Sequence, residues 1–254
     1  NTRNLPVCVL ATLFALANAG FHLALATGSG WRPAQGIAIA VITLLIALIG
    51  GRIVPSFTRN WLVQTGRGDS LPAPMDRFDG ATLVFAGLGL LAWILAPQDW
   101  FSGALLLTAG TLHTVRLARW KGWRTCAEPL VLVLHAGYAW VPVALILMGL
   151  GVLLPAIVPA SAALHALTAG AMGTMTLAVM TRASLGHTGR ERTADIWTSL
   201  IYLLVIAGAL VRTLAPILLG TLQYPALGMA AALWSGAFAL FAIRYGNMLW
   251  TRGR

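Results

Sequence analysis

The composition of the chain excludes a soluble globular protein. Of its 254 residues, 58% are hydrophobic and only 9% are charged, against about 25% charged residues in ordinary soluble domains. Seventeen basic residues against seven acidic ones give a net charge of +10, which in a soluble protein would suggest a nucleic-acid partner. The positions of these charges along the chain predict a membrane orientation instead, with the lipid bilayer as the partner and no nucleic acid.

Eight runs are long and apolar enough to span a bilayer, which takes about 20 residues of helix. They predict an all-α, polytopic transmembrane helix bundle that forms a single domain over residues 1–254. The predicted spans are Leu5 to Ala26, Ala34 to Val54, Gly80 to Ala96, Phe101 to Ala118, Leu130 to Leu154, Ser161 to Thr181, Ile196 to Leu219 and Ala226 to Trp250.

The basic residues are distributed unequally between the two sides of this alternation. Fifteen of the seventeen lie at the termini or at the second, fourth and sixth connections. Arg32 is the one basic residue in the other connections, and Arg212 lies inside a predicted span. Since short loops rich in Lys and Arg stay in the cytoplasm, we expect both termini to be cytoplasmic. Cys8 and Cys126 then face a reducing compartment and should be unpaired.

The sequence contains no phosphate-binding loop, CxxC pair, HExxH motif or G-x-S-x-G elbow, so no catalytic residue is predicted. The chemistry that remains inside the predicted spans is that of histidine. At a rise of about 1.5 Å per residue, His113 and His135 fall in the inner half of the bilayer, and His22 and His165 in the outer half. We predict that each pair faces one another, as axial ligation of a haem iron between two helices requires. The alternative for each histidine is a buried polar group bonded to a neighbouring helix.

Two other residue types, arginine and methionine, bear on this hypothesis. Arg212 lies near the level of His22 and His165 and could bind a haem propionate or reach the outer headgroups. Arg116, one turn from His113, is interpreted as a positive-inside anchor. Met172 and Met175, with His165 on the same helix, offer the thioether and imidazole ligands that Cu(I) prefers, although methionine in an apolar helix is commonly packing material.

Three strings resemble those of one known family. The run LHALTAGAMGTMTLAVMTRASLGHTGR over residues 164–190 closely resembles the NnrS family, as do GGRIVPSFTRNW over 50–61 and EPL followed by HAGY at 128–130 and 135–138. The resemblance extends over nearly the whole chain in matching order. Members of that family are longer than this chain and carry a His-Glu-Met motif that is missing here, so we expect the chain to be the C-terminal two-thirds of such a protein.

The resemblance implies a bacterial inner-membrane protein that contains haem and copper and is associated with the nitric oxide response and denitrification. We therefore expect haem b and copper as cofactors, and binding or detoxification of nitric oxide rather than classical catalysis. A metal-free transporter of a small substrate is the alternative, since glycine- and proline-broken helices can enclose a polar path. A nitric oxide reductase would need acidic proton delivery inside the membrane, which the sequence does not provide.

Overall fold

The computed structural model describes residues 4–218 and 220–250, and over these residues the chain folds into eight long helices without a strand. The predicted end of the seventh span at Leu219, and the basic residues Arg3, Arg252 and Arg254, lie outside the described residues. In chain order the helices are α1 Leu5–Thr27, α2 Arg32–Gln64, α3 Arg77–Leu95, α4 Trp100–Arg119, α5 Pro129–Leu153, α6 Ala160–His187, α7 Ile196–Leu218 and α8 Gln223–Trp250.

Helix α2 continues well beyond its predicted end at Val54. The prediction that a connection begins at Pro55 is wrong, because the helix continues through this proline to Gln64. A proline removes one helical hydrogen bond, but Val54, Thr58 and Leu62 recur on one face and are fully buried. Burial of this face stabilises the extra turns by more than the missing bond costs.

Two further boundaries differ from the prediction because of local structure. Helix α3 begins at Arg77 rather than Gly80, since Asp76 and Asp79 form a reciprocal capping box at its start. Helix α6 continues to His187, six residues past the predicted end at Thr181, and its stretch from Ala166 to Met172 has π-helical hydrogen bonding. Such π turns are often found at functional sites.

Seven of the eight helices are long and apolar enough to cross a membrane, so the chain is a multi-pass membrane protein. The exception is α4, which does not reach the same hydropathy, and the prediction of eight spans is supported for seven. Helices α4 and α5 pack closely, as their adjacency in the chain predicted. A Cβ atom on Gly110 would lie 2.6 Å from the side chain of Ile146, and the glycine therefore permits the approach.

The connections that carry most of the basic residues meet at one end of the bundle, which we call the basic end. Lys121 and Arg124 bind the second connection through Ser70 and Asp69, at 2.5 Å each, and Glu128 accepts a hydrogen bond from the backbone N–H of Ala194 at 3.0 Å. Another cavity, of about 560 Å³, is lined by the starts of α2 and α6 and by the connection between α3 and α4, and its lining includes Arg32, Gln98 and Ala160. Cys8 and Cys126 are free and exposed, as predicted.

Candidate functional site

An ion pair buried between helices joins α3 to α4. Arg116 is 0% exposed and donates from Nε to the Asp79 carboxylate at 2.6 Å and from Nη1 to the backbone oxygen of Ala47 at 2.9 Å. The interpretation of Arg116 as an interfacial anchor is therefore wrong. Its partner lies 37 residues earlier in the chain, so counting charges in loops could not reveal the pair.

Two consecutive glycines on α2 make room for this arginine and its neighbour. A Cβ on Gly51 would lie 2.0 Å from Nη2 of Arg116, and one on Gly50 would lie 2.8 Å from the Tyr138 ring. No larger side chain fits at either position without moving these groups. The Gly-Gly pair, together with an arginine one turn after His113, is the sequence signal that could have indicated the buried cluster.

Tyr138 links the ion pair to the first predicted ligand. Its hydroxyl oxygen accepts a hydrogen bond from Arg116 Nη1 at 2.8 Å and lies 2.8 Å from Nδ1 of His113. A hydroxyl oxygen can accept two hydrogen bonds and donate one, so the proton between Tyr138 and His113 belongs to the hydroxyl or to Nδ1, according to the tautomer of the ring. The other ring nitrogen of His113, Nε2, is buried without a partner among the described residues.

The second buried histidine, His135, is also held by a hydrogen bond to another helix. Its Nε2 lies 2.7 Å from the Thr58 hydroxyl, which donates its own proton to the Val54 backbone oxygen at 2.9 Å. The imidazole must therefore donate from Nε2, which leaves the lone pair on Nδ1. That nitrogen has no partner among the described residues and is packed against Gly122, where a Cβ would lie 2.6 Å away.

The two buried histidines thus lie in one region without touching. No hydrogen bond or ring contact joins His113 to His135 in the part of the chain that the structure describes, and each ring is bonded to a different neighbour. We call this region the closed cluster; its members are Asp79, Arg116, Tyr138, His113, His135 and Thr58. Ligation by its histidines stays a prediction.

A second region, the open groove, lies between α6, α7 and α8. It has a volume of about 580 Å³ and brings together three predicted site residues, His165, Met172 and Arg212. Trp234 and Phe238 of α8 also line it. His165 and Arg212 are half-buried, and neither forms a hydrogen bond or ion pair with another described residue. An unpaired arginine inside an apolar helix is a mark of a binding site.

The π turn of α6 shapes the wall of this groove. His165 lies just before the turn and Met172 at its end, and both side chains line the same cavity. Trp234 donates from Nε1 to the backbone oxygen of Ala169, in the middle of the turn, at 3.1 Å. A Cβ on Gly173 would lie 2.6 Å from that nitrogen, so the glycine allows α8 to approach.

The remaining predicted ligands lie elsewhere. Met175 is buried beside Gly137, with a Cβ on that glycine 2.8 Å from its sulfur, and it does not line the open groove. His22 is exposed on α1 and has a ring contact with Phe21 at 5.9 Å. The structure does not bring His22 into contact with His165. Within residues 4–218 and 220–250, no three His, Cys, Asp or Glu side chains are grouped so that they could hold a metal ion.

These features define an all-helical, multi-pass membrane protein with a closed buried polar cluster and a separate open groove. The family model described as "NnrS protein" matches residues 1–252, and the chain therefore belongs to the NnrS family. Membership fits a membrane protein of the nitric oxide response. No curated protein and no solved structure matches the chain significantly.

Proposed function

We propose that the open groove holds a metal cofactor, haem b or copper, and that the protein binds nitric oxide there as part of the nitric oxide response and denitrification. The observation that carries the proposal is the meeting of His165, Met172 and the unpaired Arg212 in one cavity. None of these side chains is engaged by another described residue through a hydrogen bond or ion pair, so all three are available to a bound group.

The residues present fit either cofactor. Imidazole and thioether ligands suit Cu(I), and histidine and methionine are also axial ligands of haem iron. The planar fork of Arg212 suits a carboxylate such as a haem propionate. The volume of about 580 Å³ lies in the range of pockets that bind cofactors. A bound haem iron or copper ion would supply the metal to which nitric oxide binds.

The closed cluster fits a metal less well than the groove. Nδ1 of His113 is bonded to Tyr138, and Nδ1 of His135 is packed against Gly122. Neither histidine lines the groove, so a metal at either ring would require neighbouring groups to move. His165 lines the groove and requires no such movement, and this difference favours His165 as the ligand.

The test is the optical spectrum and metal content of the purified full-length protein. We expect reduced-minus-oxidised bands of a b-type haem, or bound copper, and a spectral change when nitric oxide is added. Met172→Leu should weaken cofactor retention. Met180→Leu should not, because Met180 lies on the same helix and does not line the groove. A colourless, metal-free full-length protein would contradict the proposal and favour the metal-free transporter, in which Arg212 would face an anionic substrate.

We further propose that the basic end faces the cytoplasm and that the membrane is the bacterial inner membrane. The grouping of basic connections at that end supports this orientation. Cys126 is exposed beside these connections, so a membrane-impermeant thiol reagent should label it in inverted vesicles and not in intact spheroplasts. Cys8→Ser removes the other thiol of these 254 residues for this measurement. Labelling only from the outside would overturn the orientation.

A further inference from the structure

A third pocket, at the basic end, has a different chemical character from the open groove. It has a volume of about 320 Å³ and is lined by residues of α2, of the end of α6 and of the following connection. Its side chains include Phe57, Arg182, His187 and Arg192. The two longest sequence strings singled out above meet at this pocket, since Phe57 belongs to one and Arg182 and His187 to the other.

The two arginines of this pocket have no hydrogen-bond or ion-pair partner among the described residues. The guanidinium group of Arg182 lies over the Phe57 ring at 4.0 Å, a contact with the face of the ring that leaves the N–H donors at the edge of the guanidinium free. The charges of Arg182 and Arg192 are near enough to repel each other. No ion pair with a described carboxylate offsets that repulsion.

The acid whose charge acts on Arg182 is not bonded to it. The charge of Glu128 acts on Arg182, but its Oε1 already accepts hydrogen bonds from the backbone N–H groups of Leu130 and Ala194, both at 3.0 Å. Glu128 forms no ion pair with Arg182, and the lining of the pocket contains two guanidinium groups and an imidazole but no carboxylate. The pocket therefore keeps an excess of positive charge and several free donors, which is the arrangement that binds phosphate.

The apolar side of the pocket indicates the source of the phosphate. Val179, one helical turn before Arg182, lines the same pocket and is 40% exposed on a membrane-spanning helix. An acyl chain could lie along this surface while its headgroup reaches the arginines, as in basic pockets between transmembrane helices that bind anionic lipids. We propose that Arg182, Arg192 and His187 form a binding site for the phosphate of an anionic phospholipid.

Native mass spectrometry of the full-length protein with phosphatidylglycerol and phosphatidylcholine tests this site. We expect phosphatidylglycerol to bind in preference, and its apparent Kd to rise about tenfold when Arg182→Gln or Arg192→Gln removes one charge-assisted contact. Arg77→Gln is the matched control. It removes the same charge at the basic end from a residue without a hydrogen bond or ion pair to the described residues, and it should leave the Kd unchanged.

Each contrary result would overturn the site. Equal binding of the two lipids would exclude recognition of the anionic headgroup. An equal effect of Arg77→Gln and Arg192→Gln would show a diffuse surface charge rather than a pocket. Displacement of bound phosphatidylglycerol by millimolar inorganic phosphate would assign the pocket to soluble anions. Since Arg192 is exposed in a connection, Arg192→Gln should fold even if Arg182→Gln does not. Lipid binding is measured without reference to the cofactor, so the test is independent of the proposed function.

Discussion

The closed cluster and the open groove use the same kinds of polar residue inside a helical bundle, with opposite results. In the closed cluster, Arg116 is bonded to a carboxylate, a carbonyl and a tyrosine, and its Nη2 is packed against Gly51 without a hydrogen-bond partner among the described residues. In the open groove, Arg212 and His165 have no such partner and face a cavity. Polar groups that the protein both bonds and encloses hold the helices in place, whereas groups without a partner beside a cavity are free for a ligand.

The largest effect should come from breaking the buried ion pair. Asp79→Asn leaves the charge of Arg116 buried without a counter-ion, which typically destabilises a protein by about 3–5 kcal/mol. The free energy of unfolding in detergent measures this loss. Asp69→Asn is the control, because its pair with Arg124 is exposed and its loss should be hardly measurable. Equal losses in the two variants would show that the buried pair contributes no more than a surface pair.

The glycine that admits Arg116 should give the next effect. Gly51→Ala places a Cβ where Nη2 now lies, and such overpacking typically costs about 1–3 kcal/mol. Gly87→Ala in α3 should cost nothing, since its Cβ would meet no atom within 4 Å. Thermal unfolding of the two variants checks the difference. If Gly51→Ala were as stable as Gly87→Ala, the close packing of the cluster would be refuted.

A smaller effect is expected at the wall of the groove. Trp234→Phe removes the hydrogen bond to the carbonyl of Ala169, a change of about 1 kcal/mol. We expect it to weaken cofactor binding more than it lowers stability, because this bond holds the π turn that separates His165 from Met172. Phe238→Leu tests whether mere loss of an aromatic lining residue has the same effect. Unchanged cofactor affinity in Trp234→Phe would contradict this positioning role.

The smallest effect concerns the start of α3. Arg119, which forms an ion pair with Asp76, and the backbone N–H of Asp79 hold the pKa of Asp76 below its ordinary value of 3.8. A carboxylate with a lowered pKa stabilises the fold above that ordinary value and loses its contribution as the pH falls below it. Hydrogen exchange of the first turn of α3 should therefore speed up below about pH 4 relative to the rest of the helix. The Asp76→Asn variant should lack this extra pH dependence.

The sequence predicted most of the fold but only part of the candidate site. Apolar runs predicted all eight helices, because a run of about 20 apolar residues is favourable as a helix in the hydrocarbon core of the bilayer. They could not predict that α2 passes through Pro55, since this depends on packing of the Val54 face. Depth estimates put His165 and Arg212 at one level, and the structure places both in one groove. The Gly50-Gly51 pair indicates close packing, but the partners of Arg116 and the π turn depend on contacts between residues far apart in the chain.

One comparison tests the central claim, that the groove is the cofactor site and the cluster is structural. Cofactor content and helical circular dichroism are measured for full-length His165→Ala and His113→Ala, each against the unmodified protein. We expect His165→Ala to keep its helical signal and melting temperature but lose haem or copper. His113→Ala should keep the cofactor and melt at a lower temperature, because the Tyr138 hydroxyl loses a buried hydrogen-bond partner. A folded His113→Ala without cofactor, beside a fully loaded His165→Ala, would contradict the account.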